Sequence, residues 1–232
     1  MSQIFTLTSD STENDVDEAV HAVIQAVVNG ELAVIPTDTS YALIADAFNE
    51  SAIERMRIAK QQSSSVSIPV GVGSLATVDG IATLSTLARD LVTAFWPGAL
   101  TVLTKPQPSV SLAVCQAGDA VAVRVPSHPI ALAVIQGIGP VAMTGAQVAG
   151  EAPITTIIQA QAALGDSVTT YIDGGELTAK QSTVLDATSE HLRLIRRGAL
   201  SIDQLRAVVP MVIDAAATQS NDETSSFSPE LG

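Results

Sequence analysis

The sequence predicts a single α/β domain with a twisted, mixed β-sheet and helices on both of its faces. Three observations carry this prediction. The chain has 232 residues, of which 47% are hydrophobic, and this is ample for a large core. Short apolar runs typical of buried strands are separated by segments with helical periodicity. These strands and helices interleave without strict βαβ alternation and without an internal repeat, which favours a mixed sheet.

The elements of the first half follow from periodicity and from the positions of proline. Residues 14–29 form an amphipathic helix, because apolar residues recur at the i, i+3, i+4, i+7 spacing of one face. A buried strand at 32–35 stops at Pro36, since proline cannot donate to a sheet ladder. The other predicted elements are a helix at 51–60, a polar loop at 61–67, a strand at 68–72 near a sheet edge because of Pro69, a helix at 84–95 and a strand at 100–104.

The second half continues the alternation and ends in a polar tail. Its predicted elements are strands at 120–125, 140–143, 168–172, 183–186 and 192–196, helices at 128–136, 154–164 and 201–209, and a loop at 144–150. Ser201 and Gln204 match a capping box. The domain is predicted to span residues 1–213. Residues 214–232 are predicted to be a disordered tail, because the polar composition after Ala217 cannot bury a core.

Composition excludes several classes of protein. The net charge is −13, from 11 Lys+Arg and 24 Asp+Glu, and no basic cluster appears, so tight direct binding of nucleic acid is not expected. Cys115 is the only cysteine, which excludes an intrachain disulfide and a multi-cysteine zinc site. The spacing of His, Asp and Glu predicts no metal site. The sequence lacks a secretory signal and a membrane-spanning apolar run, so a soluble, cytoplasmic protein is expected.

The functional signal is a series of loops, each at the end of a strand or helix. Strand ends in α/β sheets are where ligands are usually held. The loops are 36–43, 59–60, 95–101, 123–129, 144–150, 182–186 and 196–198. Three of them carry specific motifs: Pro36-Thr37-Asp38-Thr39-Ser40-Tyr41, Phe95-Trp96-Pro97-Gly98-Ala99-Leu100-Thr101 and Arg124-Val125-Pro126-Ser127-His128-Pro129.

Over residues 14–210 this series resembles the YrdC/Sua5 family, the L-threonylcarbamoyladenylate synthases. The resemblance implies an α/β fold around an open, electropositive cavity. It also implies that L-threonine, bicarbonate and ATP are condensed to threonylcarbamoyl-AMP and pyrophosphate. ATP would be a substrate accompanied by Mg²⁺, with no tightly bound cofactor. A separate tRNA threonylcarbamoyl transferase complex would then be the partner that modifies adenosine 37 of tRNA.

Carried over position by position, the resemblance assigns residues to the two substrates. Thr39, Arg124 and Ser182 would bind L-threonine. The nucleotide would be bound by Lys60, Gln62, Thr144, Gln147 and Arg196, with Lys60 as the catalytic residue. A triphosphate carries about four negative charges, which lysine and arginine can neutralise. A guanidinium also suits the threonine carboxylate, because it can form two parallel hydrogen bonds.

Two loops depart from the family pattern and leave two functions open. The family's Lys-x-Arg is Lys60-Gln61-Gln62 here, and its Ser-Ala-Asn-x-Ser-Gly is Gly145-Ala146-Gln147-Val148-Ala149-Gly150. Ala42 also replaces a glycine. One function is an active synthase with an altered phosphate loop. The other is a catalytically weakened or inactive paralogue that binds nucleotide or amino acid as a regulatory protein. Carbamoyl transfer to another acceptor, as in hydrogenase-maturation proteins, ranks third.

Overall fold

The computed structural model describes residues 2–115 and 119–217. The strands in this part of the chain are β1 (Gln3–Thr6), β2 (Ala33–Pro36), β3 (Tyr41–Asp46), β4 (Val70–Gly71), β5 (Ala82–Thr83), β6 (Leu100–Pro106), β7 (Val121–Arg124), β8 (Val141–Gly145), β9 (Thr170–Asp173), β10 (Thr183–Asp186), β11 (Arg193–Arg196) and β12 (Ile213–Asp214). The α-helices are α1 (Glu13–Val28), α2 (Glu50–Lys60), α3 (Leu75–Ile81), α4 (Thr86–Phe95), α5 (Pro129–Ile138), α6 (Ile157–Leu164) and α7 (Ile202–Val208).

The strands form one mixed sheet in the order β1-β9-β2-β3-β8-β4-β7-β6-β10-β11-β12, with β5 paired to β6 off this path. The pairs β2·β9, β4·β7 and β6·β10 are parallel. The pairs β2·β3, β3·β8 and β6·β7 are antiparallel. The predicted α/β class with a mixed sheet is confirmed.

Helices cover both faces of the sheet, and the period-2 alternation of the strands shows why. Ala33 and Ile35 of β2 pack in a cluster with residues of α1 and α5. Val34, between them, points to the opposite face and packs in a second cluster with residues of α2, α4, α6 and α7. A strand that is apolar on both faces therefore lies in the buried middle of three layers.

Side-chain caps fix where several helices begin. Thr12 caps α1, and its hydroxyl and the Asp15 carboxylate exchange hydrogen bonds with the backbone in a capping box. Asn49 caps α2. Ser201 and Gln204 form the predicted capping box at the start of α7. No helix in the described part of the chain is both long and apolar enough to cross a membrane.

The centre of the sheet differs from the prediction at two places. A strand begins at Tyr41, where a loop is predicted, because Pro36 and Tyr41 pair across a tight hairpin. The strand that follows Pro69 lies between β8 and β7 rather than near an edge. Pro69 precedes this strand, and its carbonyl accepts a hydrogen bond of 2.8 Å from the Met143 N–H. The missing proline N–H therefore costs no ladder bond.

The ends of the domain also differ from the prediction. The strand Gln3–Thr6, the short helix Leu75–Ile81 and the two-residue strands β5 and β12 are not predicted, because such short elements carry too little periodicity. Asp214 pairs with Leu194, and Ala215–Ala217 form a 3-10 turn. The remainder of the predicted tail, residues 218–232, lies outside the described residues.

Candidate functional site

A cavity opens at the middle of the sheet and is lined by residues of β3, β6, β7, β8, β10 and β11. These strands are neighbours in space but are scattered over more than 150 positions of the sequence. The lining includes six of the residues predicted from the sequence: Thr39, Arg124, Thr144, Gln147, Ser182 and Arg196. Lys60 and Gln62, the other two, are not among the residues that line it.

One side of the cavity, here named the arginine wall, consists of Thr39 and Arg124, together with Asp38, which lies outside the lining and forms an ion pair with Arg124. The turn at residues 37–40 is held by a series of hydroxyl hydrogen bonds in which each donor can be assigned. The Thr37 hydroxyl donates to the Ser40 carbonyl at 2.6 Å, so the Thr39 hydroxyl must donate to Thr37 Oγ1 at 3.0 Å. Thr39 Oγ1 in turn accepts a hydrogen bond from Arg124 Nη1 at 3.1 Å. The orientation of the Thr39 hydroxyl is therefore fixed before any ligand binds.

Arg124 is fixed by three different partners. Its Nε donates to the Gly98 carbonyl at 3.0 Å, its Nη1 to Thr39, and its Nη2 to Asp38 Oδ2 at 2.7 Å. The residue is buried, and burial lowers the pKa of its guanidinium, whereas the charge of Asp38 raises it. A guanidinium has five N–H groups, and these three bonds leave two for a ligand. Arg124 is thus a rigid, charged donor on the cavity wall.

Asp38 connects the arginine wall to helix α5. Its second oxygen, Oδ1, accepts a hydrogen bond of 3.0 Å from the backbone N–H of Ser127. His128 occupies the N-cap position of α5 and makes no capping hydrogen bond with its side chain. The N–H of Ser127, one residue earlier, orients the carboxylate that holds Arg124.

A second cation, Arg196, faces the same cavity from β11. Its Nη2 donates to Ser182 Oγ at 3.1 Å and to the Ser182 carbonyl at 3.2 Å. Ser182 Oγ also hydrogen-bonds Thr101 Oγ1 at 2.8 Å. Burial lowers the pKa of Arg196, and the positive charge of Arg124 lowers it further. The two guanidinium groups are therefore close enough to repel each other, which an anionic ligand between them would relieve.

A second side of the cavity, here named the loop wall, consists of Thr144, Gly145 and Gln147, and Lys60 supports it from outside the lining. Lys60 ends helix α2 and is fully buried behind this loop. Its ammonium donates to the Gly145 carbonyl at 2.6 Å and to the Gln147 carbonyl at 2.7 Å. Burial lowers the pKa of Lys60 to about 8. Lys60 thus holds the backbone of the loop and does not itself line the cavity.

Several polar atoms of this region have no partner among the described residues. Thr144 Oγ1 and Gln147 Oε1 are buried and unpaired, and both residues line the cavity. Gln62 Oε1 is also buried and unpaired, but Gln62 lies outside the lining. A buried polar atom without a partner is unfavourable, so such atoms at a cavity wall indicate where a ligand or water completes the bonding.

Sequence reasoning missed three residues of the site, because their roles depend on tertiary contacts. Asp38 holds Arg124, while Gly98 and Gly198 allow close approach of two backbones. A Cβ at Gly98 would overlap the Phe95 carbonyl oxygen, and one at Gly198 would overlap the backbone of Ser182. All three lie within the loops named above, but only their contacts distinguish them from ordinary turn residues. In the described part of the chain, no group of three or more His, Cys, Asp or Glu is placed to hold a metal ion.

Comparisons with known proteins agree on one family. The model of the Sua5/YciO/YrdC family, described as "Telomere recombination", matches residues 25–198. A putative threonylcarbamoyl-AMP synthase of Mycobacterium tuberculosis is 35% identical over 198 residues, which cover 84% of this chain and 90% of that protein. Two solved structures are also similar. Pyrococcus abyssi Sua5 complexed with L-threonine has a TM-score of 0.88 at 26% identity, and the match covers 99% of this chain and 67% of that one. E. coli YciO has a TM-score of 0.79 at 25% identity, covering 88% and 100%.

Proposed function

Because the chain belongs to the Sua5/YciO/YrdC family, we propose that it condenses L-threonine, bicarbonate and ATP into threonylcarbamoyl-AMP and pyrophosphate. The product would serve the threonylcarbamoyladenosine modification at position 37 of tRNA. The relative named above as a threonylcarbamoyl-AMP synthase and the Sua5 complex with L-threonine support this proposal. The observation that carries it is the pair of guanidinium groups, Arg124 and Arg196, which face one cavity and are each held by hydrogen bonds.

The arginine wall suits the amino acid. The two N–H groups that Arg124 does not use within the protein can bind the two oxygens of the threonine carboxylate. Thr39 cannot turn its hydroxyl proton toward a ligand without breaking its bond to Thr37, so it would offer a lone pair to a ligand donor. Ser182 borders the same space and is held by Thr101 and Arg196. This wall would therefore bind threonine with little rearrangement.

The loop wall and Arg196 suit the nucleotide. Arg196 would neutralise phosphate charge directly, while Thr144 and Gln147 would supply hydrogen bonds from the groups that lack partners in the part of the chain that the structure describes. Lys60 would act as a positioning residue, because it holds the loop and adds positive charge behind it. Gln62, outside the lining, would act only on a part of the triphosphate that extends beyond the cavity. ATP would enter as its Mg²⁺ complex, as a substrate.

The proposed reaction has two steps. The threonine amine first attacks bicarbonate, and a carbamate forms with loss of water. A carbamate oxygen then attacks the α-phosphorus of ATP, forming a new P–O bond while the bond from the α-phosphorus to the bridging oxygen breaks and releases pyrophosphate. Negative charge builds up on the oxygens around the α-phosphorus, where a fixed cation such as Arg196 stabilises it more in the transition state than in the ground state.

The test is release of pyrophosphate by the purified protein, together with mass spectrometric detection of threonylcarbamoyl-AMP. Release must require threonine, bicarbonate and ATP together, and each omission serves as a control. Arg196→Lys keeps the charge but loses the planar fork, so turnover should fall by about tenfold or more. Arg89→Lys, at an exposed ion pair, is the matched control and should leave turnover unchanged. Absence of pyrophosphate release at high protein concentration would overturn the proposal.

One observation favours a second candidate function, a binding protein without turnover. The ammonium of Lys60 is committed to two loop carbonyls, and neither Lys60 nor Gln62 lines the cavity. Such a protein would bind threonine or ATP and regulate a tRNA-modifying partner. Calorimetry separates the two candidates, because binding of both ligands without pyrophosphate release favours the second. Binding of neither ligand contradicts both.

The proposal also includes a cellular location, the cytoplasm, and a partner, the transferase complex. A cytoplasmic protein that hands its product to a separate tRNA threonylcarbamoyl transferase complex needs no strong contact with tRNA itself. The net charge of −13 fits this division of labour, since an acidic surface repels the phosphate backbone. A transfer assay with the transferase complex and unmodified tRNA would test it.

A further inference from the structure

Gly145 and Gln147 share one space at the end of strand β8. A Cβ built on Gly145 would lie 2.7 Å from Gln147 Nε2 and 2.8 Å from Gln147 Cδ, and still closer to Gln147 Oε1. The whole carboxamide thus occupies the position where a side chain at residue 145 would begin. Gly145 lies within a strand and does not have the positive φ that favours glycine. The glycine is therefore required for space and not for backbone conformation.

The surrounding backbone cannot move away to relieve such a collision. Lys60 binds the carbonyls of both Gly145 and Gln147. The N–H of Ala146 donates to the Tyr41 carbonyl at 2.9 Å, and the N–H of Ala149 donates to the Lys60 carbonyl at 3.0 Å. A side chain at residue 145 would consequently displace the Gln147 carboxamide, the flexible partner of the pair.

Gln147 also belongs to the lining of the cavity. Gln147 is 8% exposed, lines the cavity, and its Oε1 is buried without a partner among the described residues. Oε1 is an acceptor, so it calls for a ligand N–H or O–H donor. In the reaction proposed above, such donors are the nitrogen and hydroxyl groups of threonine and the ribose hydroxyl groups of ATP.

We propose that Gly145 and Gln147 form one coupled unit, in which the absence of a side chain at 145 admits the Gln147 carboxamide and Gln147 determines ligand affinity by accepting a hydrogen bond from a ligand donor. The identity of the ligands rests on the proposed function, whereas the coupling does not. Two positions where the chain departs from the family pattern are on this view a single change, since the Gln147 carboxamide can keep its place only if residue 145 has no side chain.

The test is a double-mutant cycle with Gly145→Ala, Gln147→Ala and the double variant. Alanine at 145 adds one methyl group and no polar atom. In the stability arm, measured by urea unfolding, Gly145→Ala should cost more stability when residue 147 is glutamine, whose carboxamide must move, than when it is alanine. If the single variant does not fold, recovery of folding in the double variant gives the same result. Gly80→Ala, where a Cβ would meet nothing within 4 Å, is the matched control and should cause no loss.

The ligand arm uses calorimetry with L-threonine and, separately, with a non-hydrolysable ATP analogue, which distinguishes the two sources of donor. Gln147→Ala should weaken binding of one of them by about tenfold, Gly145→Ala should do the same, and the double variant should be no weaker than either. Effects that multiply in the double variant, or unchanged affinities in all three, would overturn the proposal. If the wild-type protein binds neither ligand, the proposed function and the ligand role of Gln147 fail together. The stability arm then still decides the coupling, and additive effects there refute it.

Discussion

The two walls of the cavity differ in how far the protein completes its own hydrogen bonds. On the arginine wall, Arg124 is held by a carboxylate, a hydroxyl and a carbonyl, and even the hydroxyl proton of Thr39 has a fixed direction. On the loop wall, Lys60 holds the backbone, but Thr144 Oγ1 and Gln147 Oε1 have no partner among the described residues. The polar groups of the arginine wall therefore have protein partners without a ligand, whereas two polar atoms of the loop wall have none among the described residues.

The difference predicts opposite responses to mutation. Substitutions in the arginine wall break existing hydrogen bonds, so they should lower the stability of the ligand-free protein. Substitutions of the two groups that have no partner among the described residues remove no hydrogen bond that the structure shows, so they should affect only ligand binding. The predictions below test this contrast.

The largest effect is expected for Arg124→Met, which leaves the Asp38 carboxylate without its cation. The side chain of Asp38 is 17% exposed, so the loss in free energy of unfolding should be about 3 kcal/mol, near the lower end for a broken buried pair. Urea unfolding measures it. Arg89→Met breaks an ion pair whose side chains are 41% and 48% exposed, and should change stability little. Equal losses in both variants would contradict the account of the arginine wall.

The next largest effect is expected for Lys60→Met, which should change how the free energy of unfolding depends on pH. The pKa of Lys60 is lowered from 10.5 to about 8 by burial, so the unfolded chain binds more protons between these two values. The wild-type protein should therefore gain stability as pH rises from 8 toward 10.5, by up to about 3 kcal/mol, and the variant should lack this gain. Urea unfolding at pH 7.5, 9 and 10 compares the two proteins. The exposed Lys105→Met should follow the wild type, and an identical pH profile in Lys60→Met would refute the burial of this ammonium.

A smaller effect is expected for Thr39→Val on the arginine wall. Valine keeps the shape of threonine but removes the hydroxyl that accepts from Arg124 and donates to Thr37. The free energy of unfolding should fall by about 1–2 kcal/mol, because two buried partners lose a bond. Chemical denaturation without ligand measures it. No change would mean that this hydroxyl chain contributes nothing to the wall.

The smallest effect on the ligand-free protein is expected for Thr144→Val on the loop wall. The Oγ1 of Thr144 has no partner among the described residues, so stability should stay within about 0.5 kcal/mol of the wild type. Affinity for ATP should nevertheless fall by about fivefold, the value of one neutral hydrogen bond. Denaturation and calorimetry on the same preparation check both parts. A loss of stability as large as that of Thr39→Val would remove the distinction between the walls.

Sequence reasoning located most of the site but could not assign roles within it. The motifs led to Thr39, Arg124, Ser182 and Arg196, all of which line the cavity. Lys60 was predicted at the nucleotide, yet its side chain lies behind the loop, because a buried ammonium takes the carbonyl partners that the fold brings to it. Asp38 carries no local mark of its role, since its partners Arg124 and Ser127 come from more than 80 positions away.

The sequence by itself determined the family, the α/β class and most helices, because these depend on short motifs, on local periodicity and on capping residues. Only the tertiary structure decided which departures from the family pattern belong together. Ala42 pairs with Gly145 across the β3–β8 ladder, and the carboxamide of Gln147 fills the space beside Gly145. The physical reason is that volume is shared between residues that touch, whatever their separation along the chain, so a substitution can be judged only together with its neighbours in space.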